Sequence, residues 1–181
     1  MKILITAAQG ETFDRHFPAP MLDALRKIGE VELNPFTRGF TRDELAQRLA
    51  DVDIVVTHWG TPQIDAQMLD GAPKLKLLAH AAGTVAHIAS EAFYERGIPV
   101  LSANYIMSEY VAEAVLGMII AGCRVFLPLD EATRAGEWGK KFERTYTLLN
   151  GEIGLIGLGT IGRRLLELLR PFHCTVSVYD P

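Results

Sequence analysis

Residues 153–162 read Ile153-Gly154-Leu155-Ile156-Gly157-Leu158-Gly159-Thr160-Ile161-Gly162, a short aliphatic run passing directly into Gly-x-Gly-x-x-Gly. The run before the glycines predicts a buried strand, and Ile161, Leu165 and Leu168 after them fall on one face of a helix. A strand that turns tightly into a helix N-terminus presents several N–H donors and the positive end of the helix dipole, which together suit a diphosphate. In this reading Gly157 makes the turn, Gly159 lets the backbone approach the diphosphate, and Gly162 lets the helix pack closely on the strand. The donors are amides near Thr160 and Ile161. Pro171 follows the helix, and Thr175–Tyr179 alternates as a second strand that delivers Asp180, 180 − 157 = 23 positions after the first glycine. A carboxylate there accepts from the adenosine ribose hydroxyls and repels a 2′-phosphate, so the expected cofactor is NAD rather than NADP. A purely structural glycine turn, or a site for FAD or S-adenosylmethionine, are the competing readings of the glycines. The strand before, the helix after and the acid at the next strand end favour the dinucleotide.

Upstream, short aliphatic runs alternate with helical stretches, the pattern of βαβ units and a parallel sheet. Strands are predicted at Lys2–Thr6, Val31–Asn34, Asp53–Thr57, Leu75–Ala79 and Val100–Ser102. Met21, Leu22, Leu25 and Ile28 recur at helical spacing and stop at Gly29, a residue suited to a left-handed helix end. Thr41-Arg42-Asp43-Glu44 has capping-box spacing, with Leu45 and Leu49 forming the apolar face that follows. The stretch Ala86–Arg96 predicts a helix ending at Gly97. From Ser108 to about Val125 the chain is apolar on nearly every face, which predicts a buried helix. Its most apolar part, Ala114 to Cys123, is about half of the ~20 residues a membrane span requires. Pro128 to Thr147, with Pro128, Gly136 and Gly139, reads as a connecting segment, with room for a short helix.

Composition narrows the partners. With 49% hydrophobic and 22% charged residues among 181, and a formal net charge of −4, the chain has the make-up of a globular protein. It carries no long basic run, so neither nucleic acid nor a membrane surface is the expected partner, and a small molecule is. The first residues lack the apolar length of a secretory signal. The two cysteines, Cys123 and Cys174, show neither disulfide-framework nor metal spacing, which fits a reducing cytoplasm.

With these residues in view the chain resembles the D-isomer-specific 2-hydroxyacid dehydrogenases. The likeness runs from Gly97-Ile98-Pro99-Val100 to Asn104, through Val111-Ala112-Glu113 and Trp138, to the glycine motif and Tyr179-Asp180-Pro181. The resemblance implies an α/β protein with two parts. Residues 1–103 would form a flavodoxin-like, parallel-sheet substrate domain, and 104–181 the first part of an NAD-binding Rossmann domain. It implies hydride transfer between the nicotinamide and a small 2-hydroxy or 2-keto acid, and a homodimer through the helix 108–125. It also implies that the loop after the fourth strand, His80 to His87, binds the substrate carboxylate through its amides. Ala82, Gly83 and Thr84 are the residues that qualify, since small side chains leave the N–H groups accessible. Val85, Ala86 and His87 depart from the family's usual continuation. Trp59, in the turn after the third strand, suits either packing or ligand contact.

The family's acid–base His, its orienting Glu and its carboxylate-clamping Arg correspond to no residue here, so no catalytic residue is assigned. A Rossmann sheet has six strands and only two follow the crossover, so the sequence predicts a truncated cofactor domain, inactive by itself. His16, His58, His80, His87 and His173 form no metal-ligand spacing and read as structural, with His80 and His87 nearest the carboxylate loop. Arg163-Arg164 reads as a solvated helix face, with Arg163 within reach of the cofactor phosphates. An NAD(H)-sensing, corepressor-like binding protein of the same fold is the alternative function.

Overall fold

The computed structural model describes residues 1–139 and 145–181. The chain divides into two compact units, Met1–Asn104 and Tyr105–Pro181.

The first unit contains β1 (Lys2–Ile5), α1 (Glu11–His16), α2 (Ala19–Arg26), β2 (Glu30–Leu33), α3 (Arg42–Leu49), β3 (Ile54–Thr57), α4 (Ala66–Asp70), β4 (Leu77–His80), α5 (Ala92–Glu95) and β5 (Val100–Ser102). All five strands are parallel, in the order β2-β1-β3-β4-β5. This is the flavodoxin-like order, with its switch point between β1 and β3. Alternation along the strands sends Leu4, Val55 and Leu78 to one face and Ile3, Ile5 and Val56 to the other. The first face is covered by Leu45 and Leu49 of α3, Met68 and Leu69 of α4, and Phe93 of α5; the second by Phe13, Phe17 and Leu22. Each such buried side chain contributes roughly 1.5–3 kcal/mol of transfer free energy.

The capping box forms as the spacing requires. The Thr41 hydroxyl accepts from the Glu44 N–H, the Glu44 carboxylate accepts from the Thr41 N–H, and Arg38 completes the arrangement with two bonds of 2.7 Å. Arg38 and the Thr41 amide hold the Glu44 carboxyl down to about 2.

Two local expectations fail for identifiable reasons. The helix expected over Ala86–Arg96 is confined to Ala92–Glu95, because the backbone before it pairs with Ile64 instead. The Ile64 N–H donates to the Ile88 carbonyl at 2.8 Å, and the Ser90 N–H to the Ile64 carbonyl at 3.3 Å. Gly29 is not a left-handed helix end, since α2 stops at Arg26 and Gly29 lacks a positive φ. It is small because a Cβ there would lie 2.3 Å from the Met1 carbonyl oxygen. Gly97, by contrast, adopts φ 65° after α5 as expected.

The second unit contains α6 (Asn104–Cys123, whose first residue belongs to the other unit), α7 (Phe126–Arg134), β6 (Glu152–Ile156), α8 (Thr160–Leu169), a 3-10 turn (Arg170–Phe172) and β7 (Thr175–Tyr179). β6 and β7 pair in parallel over their full lengths, Ile153 against Val176 and Leu155 against Val178. Ala112, Leu148, Leu165 and Leu169 form the core against Ile153, Leu155 and Val176. Part of the expected connecting segment, residues 140–144, lies outside the described residues; α7 supplies its short helix, with Pro128 in the first turn, where a missing N–H costs nothing.

The expectation that α6 is buried is not met. Only Ser108 and Ala112 are buried, while Tyr105, Ile106, Tyr110 and Met118 are between 56% and 71% exposed. At 20 residues it exceeds the apolar stretch expected from the sequence, and it is long and apolar enough, by length and composition alone, to cross a membrane. It also carries Glu109 and Glu113, and Glu109 pairs with Arg164 of α8 at 3.4 Å.

Candidate functional site

β6 ends at Ile156 and the chain reverses through Gly157 at φ 93°, a left-handed conformation that a side chain would strain. The Gly157 N–H donates to the Tyr179 carbonyl at 2.8 Å, tying the turn to the end of β7. Gly159 caps α8, whose first-turn bond runs from the Arg163 N–H to the Gly159 carbonyl at 3.0 Å. Gly162 is buried, and a Cβ on it would stand 2.5 Å from the Gly157 carbonyl oxygen. Helix and turn thus approach each other only because this residue has no side chain.

Beside the turn lies an open cavity of about 610 Å³ lined by Leu158, Gly159, Thr160, Arg163, Arg164, Glu167 and Asp180, with Tyr105, Ser108 and Glu109 of α6 opposite. A Cβ on Gly159 would meet no protein atom within 4 Å, so it would project into space a ligand could use. The Asp180 carboxylate faces the turn, its Oδ1 accepting from the Leu158 N–H at 3.2 Å. The structure therefore brings Gly157, Gly159, Thr160, Gly162 and Asp180 together. Ile161 shares the helix start, but its side chain is exposed and does not line the cavity. The donors fit a diphosphate, the missing side chain at Gly159 leaves it room, and the free oxygen of Asp180 suits a sugar hydroxyl.

Sequence reading missed the α6 wall of this cavity and the Arg164 bridge to Glu109 and Glu167. The spacing of Thr160, Arg163, Arg164 and Glu167, three and four apart, was the available signal, since it places all four on one face of a helix.

In the first unit the loop after β4 carries Ala82, Gly83 and Thr84 at the C-terminal edge of the sheet, where open α/β sheets bind ligands. The buried Ala82 carbonyl accepts from the Ala103 N–H at 3.1 Å, and the Thr84 hydroxyl from the Ala86 N–H at 3.3 Å. Among the described residues the N–H groups of Ala82, Gly83 and Thr84 donate no hydrogen bond.

The histidines are drawn into packing. His58, at the end of β3, is buried against His16, Trp59 and Phe17, with ring centroids at 4.9, 4.6 and 5.8 Å. Among the described residues its Nε2 has no hydrogen-bond partner, and burial, with His16 and His80 adding to it, pushes its titration below the ordinary value. His80 Nδ1 lies 2.9 Å from the Thr57 hydroxyl, and burial depresses this residue as well. Trp59 is 60% exposed yet packs edge-on against His16 at 5.4 Å. No group of three or more His, Cys, Asp or Glu side chains among the described residues could hold a metal ion.

Known proteins resemble this chain in sequence and in fold. The family model "D-isomer specific 2-hydroxyacid dehydrogenase, catalytic domain" matches residues 12–172. D-3-phosphoglycerate dehydrogenase of Methanocaldococcus jannaschii is 32% identical over 157 residues, covering 87% of this chain and 29% of that protein. Glyoxylate reductase of Thermococcus gammatolerans is 29% identical over 173 residues, covering 92% of this chain and 52% of its own length. The chain thus spans 29% of the one relative's length and 52% of the other's. A solved Pyrococcus horikoshii protein superposes with a TM-score of 0.74 at 26% identity, over 99% of this chain and 51% of its own. An acyclic imino acid reductase, solved in complex with NADPH and D-Arg, shares the fold with a TM-score of 0.77 at 24% identity, over 98% and 55%.

Proposed function

Since this chain belongs to the D-isomer specific 2-hydroxyacid dehydrogenases, we propose that it binds NAD(H) and a small 2-hydroxy or 2-keto acid for hydride transfer between them. The observation that carries the reading is the Asp180 carboxylate, held 3.2 Å from the Leu158 amide on the wall of the cavity that Gly159 and Thr160 also line. The nicotinamide, when bound, supplies or accepts the hydride. The chain's own residues hold and orient it: amides at the start of α8 for the diphosphate, Asp180 for the adenosine ribose. A 2′-phosphate at Asp180 would place like charges together, which favours NAD over NADP. The first unit takes the substrate, with its carboxylate accepting from the amides of Ala82, Gly83 and Thr84. Among the described residues no histidine lines the cavity beside the glycine turn, and we expect the 181 residues to bind both ligands without turnover. The exposed apolar face of α6 forms a homodimer interface. The unpaired Cys123 and Cys174 suit a reducing cytoplasm.

The test is a fluorescence titration of the purified chain with NADH and NADPH, repeated on Asp180→Ala. We expect NADH to bind at least tenfold more tightly than NADPH, and the substitution to erase most of that preference. Equal NADH affinity in both proteins, with unchanged melting, refutes the role of Asp180.

A further inference from the structure

The turn after β3 holds a titratable group that the proposed function leaves unused. His58 is 4% exposed, and among the described residues its Nε2 has no hydrogen-bond partner. Three rings pack on it, Phe17 at 5.8 Å, His16 at 4.9 Å and Trp59 at 4.6 Å between centroids. The titratable groups facing it are His16 of α1 and His80 of β4; Phe17 and Trp59 carry no charge, and among the described residues His58 makes no ion pair. A proton taken up at this ring therefore meets no anion and no acceptor, only two further imidazoles, in a place closed to water.

The backbone of the turn is in no position to relieve that. The His58 N–H donates to the Thr61 hydroxyl at 3.2 Å, that hydroxyl donates to the His58 carbonyl at 2.7 Å, and Thr6 Oγ1 stands 2.7 Å from the same oxygen. Phe17 is fixed in the core that covers this face of the sheet. His16 is anchored, since its Nδ1 lies 2.7 Å from the Thr12 carbonyl, which only accepts, so that nitrogen carries the hydrogen. Trp59 is different. It is 60% exposed, its indole makes no hydrogen bond among the described residues, and it rests on His16 and His58. An imidazolium attracts the face of an indole, but at an exposed site that attraction is weak and does not replace the water or acceptor a charged N–H requires.

We propose that Trp59 is a proton-operated cover, closed over neutral His58 and swung into solvent when His58 takes up a proton, so that water reaches Nε2. The cover sits at the edge of the sheet where ligands bind. Thr57 pairs with His80 across β3 and β4, and the Ala81 N–H donates to the Thr57 carbonyl at 2.9 Å. This turn and the loop carrying Ala82, Gly83 and Thr84 therefore leave adjacent strands side by side, and acid exposes a positive ring next to that loop. The device lies within the first unit and is independent of the cofactor reading.

Trp59 and Trp138 are the two tryptophans, so Trp138→Phe, at a residue 91% exposed, leaves Trp59 as the sole reporter. Emission, acrylamide quenching and circular dichroism of the whole chain with this substitution are followed from about pH 8 to about pH 5. The expected result is a red shift and stronger quenching as pH falls, with a midpoint below 6.5 and unchanged circular dichroism. Adding His58→Phe keeps an aromatic ring in place and removes the proton acceptor, and it should abolish the transition. Adding His16→Phe should keep the transition and raise its midpoint, one repelling imidazole being gone. Where a second substitution unfolds the chain, NMR of the Trp138→Phe protein decides, with the His58 Cε1–H and Trp59 indole signals moving at one midpoint. A transition that survives His58→Phe, an emission unchanged while His58 titrates, or separate midpoints for the two rings overturns the proposal.

Discussion

Gly162→Ala puts the packing at the turn to a quantitative test. The added Cβ would sit 2.5 Å from the Gly157 carbonyl oxygen, about 0.9 Å inside ordinary van der Waals contact. Its other near neighbours, the Gly157 carbonyl carbon at 3.4 Å and Leu155 Cδ2 at 3.7 Å, leave little room to slide aside. The obstructing atom is backbone, and it belongs to a residue held at φ 93° whose N–H is bonded to Tyr179. Relief therefore means moving the turn, at the ~1–3 kcal/mol typical of an overpacked site. Alanine returns up to ~1 kcal/mol of helix propensity. The net loss is about 1–2 kcal/mol, which for a unit the size of Tyr105–Pro181 lowers its melting temperature by about 4–16 °C. The displaced turn also misaligns the helix amides, and NADH affinity should fall more than tenfold. Differential scanning calorimetry and NADH titration read the two effects. Gly154→Ala is the control, since a Cβ there meets nothing within 4 Å and the residue is exposed in β6; it should stay within about 0.5 kcal/mol of wild type. If Gly162→Ala melts and binds like wild type, the close-approach reasoning is wrong.

Three further outcomes follow from the geometry. His58 and His80 titrate below their ordinary value of 6.5 in the fold, so the unfolded chain takes up their protons first. Their stability contribution is complete above that value and is lost as pH falls through it toward the depressed folded values. Melts of the first unit should drop between pH 7 and 5, and His58→Phe should flatten the drop; an unaltered slope would mean His58 does not carry it. Gly83→Val should weaken binding of a 2-keto acid several-fold by crowding the donor loop, with little change in melting, because a Cβ at Gly83 meets only Asn104 Oδ1, at 3.8 Å; calorimetric titration with glyoxylate checks this, and unchanged affinity removes the loop from the site. Met118→Asp, on the exposed face of α6, should convert a dimer to a monomer in analytical ultracentrifugation; a wild type already monomeric at high concentration contradicts the proposed interface.

How far the sequence disclosed all this depended on whether the deciding interaction was local. Thr41 and Glu44 meet within one turn, so the capping box was legible from spacing, as were the five parallel strands from their aliphatic runs. Gly157 and Gly162 announced the turn for the same reason. What was hidden depended on distant partners. The backbone of residues 88–90 is claimed by Ile64, more than twenty positions earlier, so a helical pattern there yielded to a bridge. Gly29 is fixed by Met1 across the first strand pair, which no local rule reveals. The apolar character of α6 was read correctly from sequence, but apolar residues seek any apolar neighbour, and composition does not say whether that neighbour lies in the same chain. The cavity wall opposite the glycines comes from Tyr105, Ser108 and Glu109, some fifty positions upstream, and only the packing of α6 against α8 brings them there.

The account stands on whether the glycine turn and Asp180 receive a dinucleotide, and backbone NMR of the isotopically labelled chain titrated with NADH measures that residue by residue. Saturable shifts concentrated at the amides of Leu158 to Gly162 and at Asp180 are the predicted result, with the amides of Ala82 to Thr84 responding instead to a 2-keto acid. A folded chain whose Gly157–Gly162 amides stay in place at millimolar NADH contradicts it.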